Sequence, residues 1–164
     1  MKTVRPNRKS PRAPFCDYCD GNFFVTICTK EKENSFGEIR NGMMQYSNIG
    51  KYCDIQLREI ELHYPYAKVL VHQVMPNHIH AIVSIEPDGN NDIPKIRPLL
   101  GVVIGGMKRA VTMFARRNHE VFGWQTRYHD HLIRGTKDYN MIWEYIENNV
   151  ERWQSDCFNL WDKN

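Results

Sequence analysis

Short runs of apolar and β-branched residues alternate with amphipathic stretches along this chain, and their order sets the first expectation about its architecture. Residues 22–29 (NFFVTICT) are rich in aromatic and β-branched side chains and predict a buried strand. Gly37, Asn41 and Gly42 punctuate two short extended pieces, which predict a small hairpin turning at Asn41-Gly42. Residues 47–63 place Ile49, Cys53, Leu57 and Ile60 near helical spacing with charged residues opposite, predicting an amphipathic helix ended by Pro65. Residues 68–75 (KVLVHQVM) and 78–85 (HIHAIVSI) predict two strands, and the link across Pro76-Asn77 is short enough to make them antiparallel neighbours. A polar loop rich in Pro and Gly follows over 86–98. Residues 99–118 predict a helix even though Gly101, Gly105 and Gly106 each cost about 1 kcal/mol there; such glycines permit close packing or close approach of a ligand. Residues 127–134 predict a further strand, and 138–152 a helix that brings Ile142, Tyr145, Ile146 and Asn149 near one another. Alternating strands and helices with one tight connection predict an α+β fold, an antiparallel or mixed sheet flanked by helices, of ferredoxin-like character.

Length and composition narrow the class. The 164 residues suit one domain, and 41% hydrophobic with 25% charged residues match an ordinary globular chain rather than a disordered or fibrous one. No run of about 18 apolar residues is available to span a membrane, and the start (MKTVRPNRKSPRAPF) lacks an apolar signal core, so no membrane partner and a cytoplasmic, nucleoid-associated address are expected. Five cysteines, at 16, 19, 28, 53 and 157, make no disulfide framework and suit a reducing compartment. Cys16 and Cys19 form a C-x-x-C that could be half of a zinc site or a redox pair; with Cys28 the only near further ligand, ordinary thiols are the default.

Net charge is only +3, yet its distribution is uneven. Lys2, Arg5, Arg8, Lys9 and Arg12 fall in the first twelve positions without an acid, which predicts a flexible basic arm over 1–14 attached to a single domain over 15–164. From 93 to 119 there are six further basic residues (Lys95, Arg97, Lys108, Arg109, Arg116, Arg117) and no acid, with Arg109 and Arg116 nearly aligned on the predicted helix. Arg5, Arg8, Lys9, Arg12, Lys108, Arg109, Arg116 and Arg117 are therefore candidate contacts to a nucleic-acid backbone, the plain alternative being a solvated face.

The most informative segment is 75–83, MPNHIHAIV. Alternate residues of a strand share a face, so His78 and His80 present two imidazoles side by side, an arrangement that suits a divalent metal. A lone H-x-H is also met as a pair of structural histidines, and a second one at His129 and His131 leaves open which pair, or both across neighbouring strands, would hold the ion.

The phrase VMPNHIHAIV, followed by W-Q-x-R-Y-H-D-H-L-I-R and then D-Y-x-x-x-x-x-Y-I-x-x-N, resembles the single-tyrosine HUH transposases, the superfamily that includes the REP-associated tyrosine transposases. The resemblance runs from about Phe23 to about Arg152 in order. It implies the HUH endonuclease fold, an antiparallel sheet flanked by helices (ferredoxin-like, RRM-like), and cleavage and rejoining of single-stranded or hairpin DNA through a tyrosine nucleophile. By motif it implies that His78 and His80 hold a divalent ion, Mg²⁺ or Mn²⁺, that Tyr145 is the nucleophile, and that Asn149 is a third, amide ligand. The family continues with proline where this chain has Val150, which bears on where the helix ends and on the role of Asn149.

These residue types make chemical sense together. A phosphodiester's charge repels nucleophiles, so a divalent ion on a non-bridging oxygen lowers the barrier and orients in-line attack. A phenol, with an ordinary pKa of about 10, must lose its proton during attack but is also a good leaving group, so a 5′-phosphotyrosine link is reversible by a 3′-OH. At i and i+4 of one helix, Tyr145 and Asn149 would share a face. Tyr139 and Tyr128 are rival nucleophiles, and Tyr145 between Trp143 and Ile146 also suits a plain core aromatic. Two other readings remain: a domesticated hairpin-binding module that no longer cuts, and a phosphoesterase that uses water. A monomer and a homodimer are both compatible with the sequence.

Overall fold

A computed structural model describes residues 20–86, 99–156 and 158. The arm over 1–14, the Cys16/Cys19 pair and most of the loop over 86–98 lie outside the described residues, and with them Arg5, Arg8, Lys9, Arg12, Lys95 and Arg97.

In chain order the elements are β1 (Gly21–Cys28), β2 (Gly37–Arg40), β3 (Met43–Tyr46), α1 (Asn48–Arg58), α2 (Ile60–His63), β4 (Ala67–Val74), β5 (His78–Ile85), α3 (Leu99–Arg117), β6 (His129–Leu132) and α4 (Gly135–Glu147). Strands β4, β5, β1 and β6 lie side by side in that order, antiparallel throughout, while β2 and β3 form the expected separate hairpin. The first and third of the four long-range strands are thus central, and α1 and α3 make the crossovers, which is the ferredoxin-like arrangement. The fold is α+β, as the periodicities predict.

Period-two alternation divides the sheet's two faces. Phe23, Val25 and Ile27 of β1 and Ile79, Ala81, Val83 and Ile85 of β5 join one core with Ile49, Cys53 and Leu57 of α1 and Leu100, Val103, Ile104, Met107 and Val111 of α3. The opposite face carries Phe24 and Thr26 beside His78 and His80, and α4 lies over it against β4 and β5. Strand β5 is buried along its whole length because helices cover both faces. Gly106 lies directly beneath the Tyr64 hydroxyl, where a side chain would collide, whereas Gly105 faces open space.

Three boundaries differ from the sequence expectation. The helix expected over 47–63 starts well, with the Ser47 hydroxyl accepting from the Gly50 N–H, but Glu59 leaves helical geometry and splits it into α1 and α2. The last helix begins at Gly135, where the Asp138 carboxylate accepts the Arg134 N–H, and stops at Glu147 rather than 152. There the Asn148 side chain donates back to the Glu144 carbonyl and caps the helix, so Asn149 lies in the turn beyond it, not one helical turn above Tyr145. Strand β6 keeps only four residues of the expected eight, at the sheet edge.

Candidate active site

His78 and His80 point from β5 to the same face, with ring centroids 4.5 Å apart. Their exposures are 0% and 2%. Around them stand Phe24, stacked on His80 at 5.3 Å, Phe158 at 4.5 Å from His78, and Trp153 at 6.0 Å from His78. This aromatic wall removes water from the imidazoles. Burial accordingly lowers the His80 pKa to about 3, and burial, with help from the neighbouring His80 and from the Lys32 charge, lowers that of His78 to about 2. Both rings are neutral at pH 7.

The hydrogen bonds also fix which nitrogen of each ring faces the site. His78 Nδ1 lies 2.9 Å from Asn77 Oδ1. The amide nitrogen of Asn77 is spent on the Lys32 and Phe158 carbonyls, so its oxygen must accept, and His78 carries its proton on Nδ1. The bare lone pair on Nε2 then faces inward. His80 Nδ1 lies 2.9 Å from Thr26 Oγ1, and its Nε2 lies 3.2 Å from the Tyr145 hydroxyl. With Tyr145 donating to Nε2, the Thr26 oxygen takes the Nδ1 proton, the same tautomer as in His78.

Three buried polar atoms have no hydrogen-bond partner among the described residues: His78 Nε2, Asn149 Oδ1 and Asp156 Oδ2. All three are acceptors, and they occur together. His78 Nε2 lies 3.9 Å from Asp156 Oδ2, and ligand atoms of His78, His80 and Asp156 fall within 4.8 Å of one another. The Asn149 amide stands beside His78 and slightly favours its protonated form, against the stronger effects that lower its pKa. Converging acceptors without a donor leave a cation as the natural complement, since each orphaned acceptor otherwise costs about 1–3 kcal/mol of lost hydration. Two imidazole nitrogens, an amide oxygen and a carboxylate oxygen are a ligand set that Mn²⁺ or Mg²⁺ accepts.

The sequence pattern thus leads to His78, His80, Tyr145 and Asn149, which the fold brings together, although Asn149 arrives from a turn and not from the helix. It does not lead to Asp156, which enters from the stretch after the short 3-10 turn Trp153–Ser155. The second H-x-H falls elsewhere. His131 is exposed and paired with Asp138 at 2.8 Å, and no metal-type cluster among the described residues includes it or His129. Tyr139 packs on Trp143 with ring centroids 5.7 Å apart, and Tyr128 packs against the core.

The candidate backbone contacts on α3 lie across the sheet from this site. Arg109, Arg116 and Arg117 are exposed. Lys108 is engaged instead, its ammonium donating to the Gln125 carbonyl at 2.8 Å and lying over the Trp124 ring at 5.6 Å. Among the described residues no helix is long and apolar enough to cross a membrane.

The four-stranded antiparallel sheet with helices on both faces is shared with solved structures. A solved REP-associated tyrosine transposase bound to a REP hairpin is similar to this chain over 88% of its length and 74% of the other's, at TM-score 0.58 and 19% identity. A candidate transposase of Deinococcus radiodurans R1 is 16% identical over 90% of this chain and 97% of its own, at TM-score 0.48. The chain belongs to the same family as an uncharacterized protein of Haemophilus influenzae (strain ATCC 51907 / DSM 11121 / KW20 / Rd), with 34% identity over 165 residues and 92% of each chain covered. No family model matches the chain.

Proposed function

We propose that this protein is a metal-dependent tyrosine transposase that nicks and rejoins single-stranded or hairpin DNA through a 5′-phosphotyrosine link on Tyr145. The observation that carries the reading is the Tyr145 hydroxyl 3.2 Å from His80 Nε2, at the edge of a cluster of buried acceptors that lacks a donor. His78 Nε2, His80 Nε2, Asn149 Oδ1 and Asp156 Oδ2 would hold the divalent ion. When bound, the ion would supply Lewis-acid polarisation of a phosphate oxygen.

The chain's own residues do the rest. Asn77 and Thr26 hold the two imidazoles in the tautomer that turns a lone pair to the site. Phe24, Trp153 and Phe158 exclude water around them. Helix α4 holds the phenol beside His80 Nε2, whose one lone pair would pass from the phenol to the ion on binding, freeing the Tyr145 hydroxyl next to the phosphate it would attack. In the step, Tyr145 Oη forms a bond to phosphorus, the bond from phosphorus to the 3′ oxygen breaks, and the phenolic proton is lost as the 3′ oxygen gains one. A 3′-OH attacking the phosphotyrosine reverses the exchange. The REP hairpin on the structural relative supports a hairpin or single-stranded substrate here.

The test is incubation with Mn²⁺ and 3′-end-labelled hairpin oligonucleotides carrying randomised single-stranded flanks, resolved under denaturing conditions. A labelled protein band is expected, absent with EDTA and absent in Tyr145→Phe. Tight binding with no such band would favour the non-cleaving hairpin-binding module, and free cleaved DNA without the band would favour attack by water.

A further inference from the structure

We infer that Lys32 grips the phosphate at this site: its ammonium takes a non-bridging oxygen of the phosphodiester that Tyr145 attacks. The inference rests on the transposase reading above and adds to it a residue outside every motif of the sequence.

The first support is place. Lys32 Nζ lies 4.8 Å from the centre of the Phe158 ring, and that ring lies 4.5 Å from His78 and 6.0 Å from His80. The Lys32 charge is close enough to be felt by His78.

The second is construction. Lys32 ends a short 3-10 turn, Lys30–Lys32, in which both Glu31 and Lys32 have φ of 56°, a left-handed conformation that side chains with a Cβ rarely adopt. Such backbone persists where its surroundings hold it and is concentrated at functional sites. Here Asn77 holds it. Its amide donates to the Lys32 carbonyl at 3.1 Å, and its own carbonyl accepts from the Thr29 N–H and hydroxyl. The residue that sets the tautomer of His78 therefore also sets the turn that carries Lys32.

The third is charge. Lys32 is half-buried and makes no ion pair among the described residues, resting over an aromatic face. Attack by a phenolate on a phosphodiester gathers two negative charges at phosphorus. A divalent ion held with the Asp156 carboxylate would have one positive charge left over, so a second cation at the same point would balance the transition state.

The experiment uses the full chain with Tyr145→Phe, so that binding is read without chemistry, and an oligonucleotide cleaved by the wild type at a mapped linkage. Two forms are compared, one with the natural phosphodiester there and one with a neutral methylphosphonate. Lys32→Gln is expected to weaken binding of the phosphodiester about tenfold, the scale of one charge-assisted hydrogen bond, and to leave the methylphosphonate unchanged. Lys32→Arg restores the difference, and Mn²⁺ affinity by calorimetry does not fall in either variant. Equal loss on the two oligonucleotides, no loss on either, or a fall in Mn²⁺ affinity overturns the inference. If the wild type forms no covalent adduct at all, the transposase reading fails first; an adduct with Lys32 indifferent overturns this inference alone.

Discussion

Asp156 places a carboxylate oxygen in a protein interior beside a neutral imidazole, an arrangement that a cation relieves and its absence penalises. Opposite effects with and without metal follow. Asp156→Asn should raise the melting temperature of metal-free protein, by the order of 1–3 kcal/mol of stability, because a buried uncompensated acceptor is removed. The same change should lower Mn²⁺ affinity by more than the ~10- to 100-fold typical of outer-shell changes. Thermal melting with EDTA or with Mn²⁺ reads both signs; a variant that melts lower in each would mean that Asp156 is structural. The histidines add a pH dependence. Their folded pKa values, about 2 and about 3, lie below the ordinary 6.5. The unfolded chain therefore binds protons first as pH falls. Stability should be at full value above pH 6.5 and decline below it toward pH 3, by up to about 1.4 kcal/mol per pH unit for each histidine. Denaturant midpoints of metal-free protein between pH 7 and pH 4 check this, and His80→Phe should flatten the slope. His78 and His80 were legible in the sequence because period two puts them on one face. Asp156 was not: it stands in irregular chain beyond the last predicted element, at no motif spacing from the histidines. Its only signal is an acid between Trp153 and Phe158.

At the scale of elements, the consecutive glycines of α3 separate two roles that composition merges. Gly106→Ala should destabilise, because the new methyl meets the Tyr64 hydroxyl, while Gly105→Ala, in open space in mid-helix, should stabilise by roughly 0.5–1 kcal/mol. Chemical denaturation of the two variants gives the comparison, and equal shifts of one sign would contradict the packing described. The sequence's apolar periodicity located β1, β4, β5 and α3, whose buried faces are regular. It missed the ends of α4 and the break between α1 and α2, since helix ends depend on individual hydrogen bonds, such as Asn148 to the Glu144 carbonyl, that periodicity does not carry. The resemblance implies Asn149 as a metal ligand on the helix of Tyr145; that helix ends before it, and its amide stands beside His78 from the turn beyond.

For the whole molecule, the sheet is a partition. The His-Tyr site faces α4, and the acid-free helix α3 packs on the other side. Charge counting found the basic cluster, but only the fold places it away from the chemistry. A DNA strand reaching both would have to pass around a sheet edge. Replacing Arg109, Arg116 and Arg117 together by Gln should weaken DNA binding and lower its logarithmic salt slope by about two, with Mn²⁺ affinity unchanged. An unchanged slope would remove α3 from the DNA interface. The proposed covalent exchange at Tyr145 can be read by peptide mapping of the protein after reaction with hairpin DNA and Mn²⁺ and digestion with protease and nuclease. A nucleotide 5′-phosphate is expected on the peptide bearing Tyr145 and on no other tyrosine; the same mass on the Tyr139 or Tyr128 peptide, or on none while the DNA is cut, would rule that exchange out.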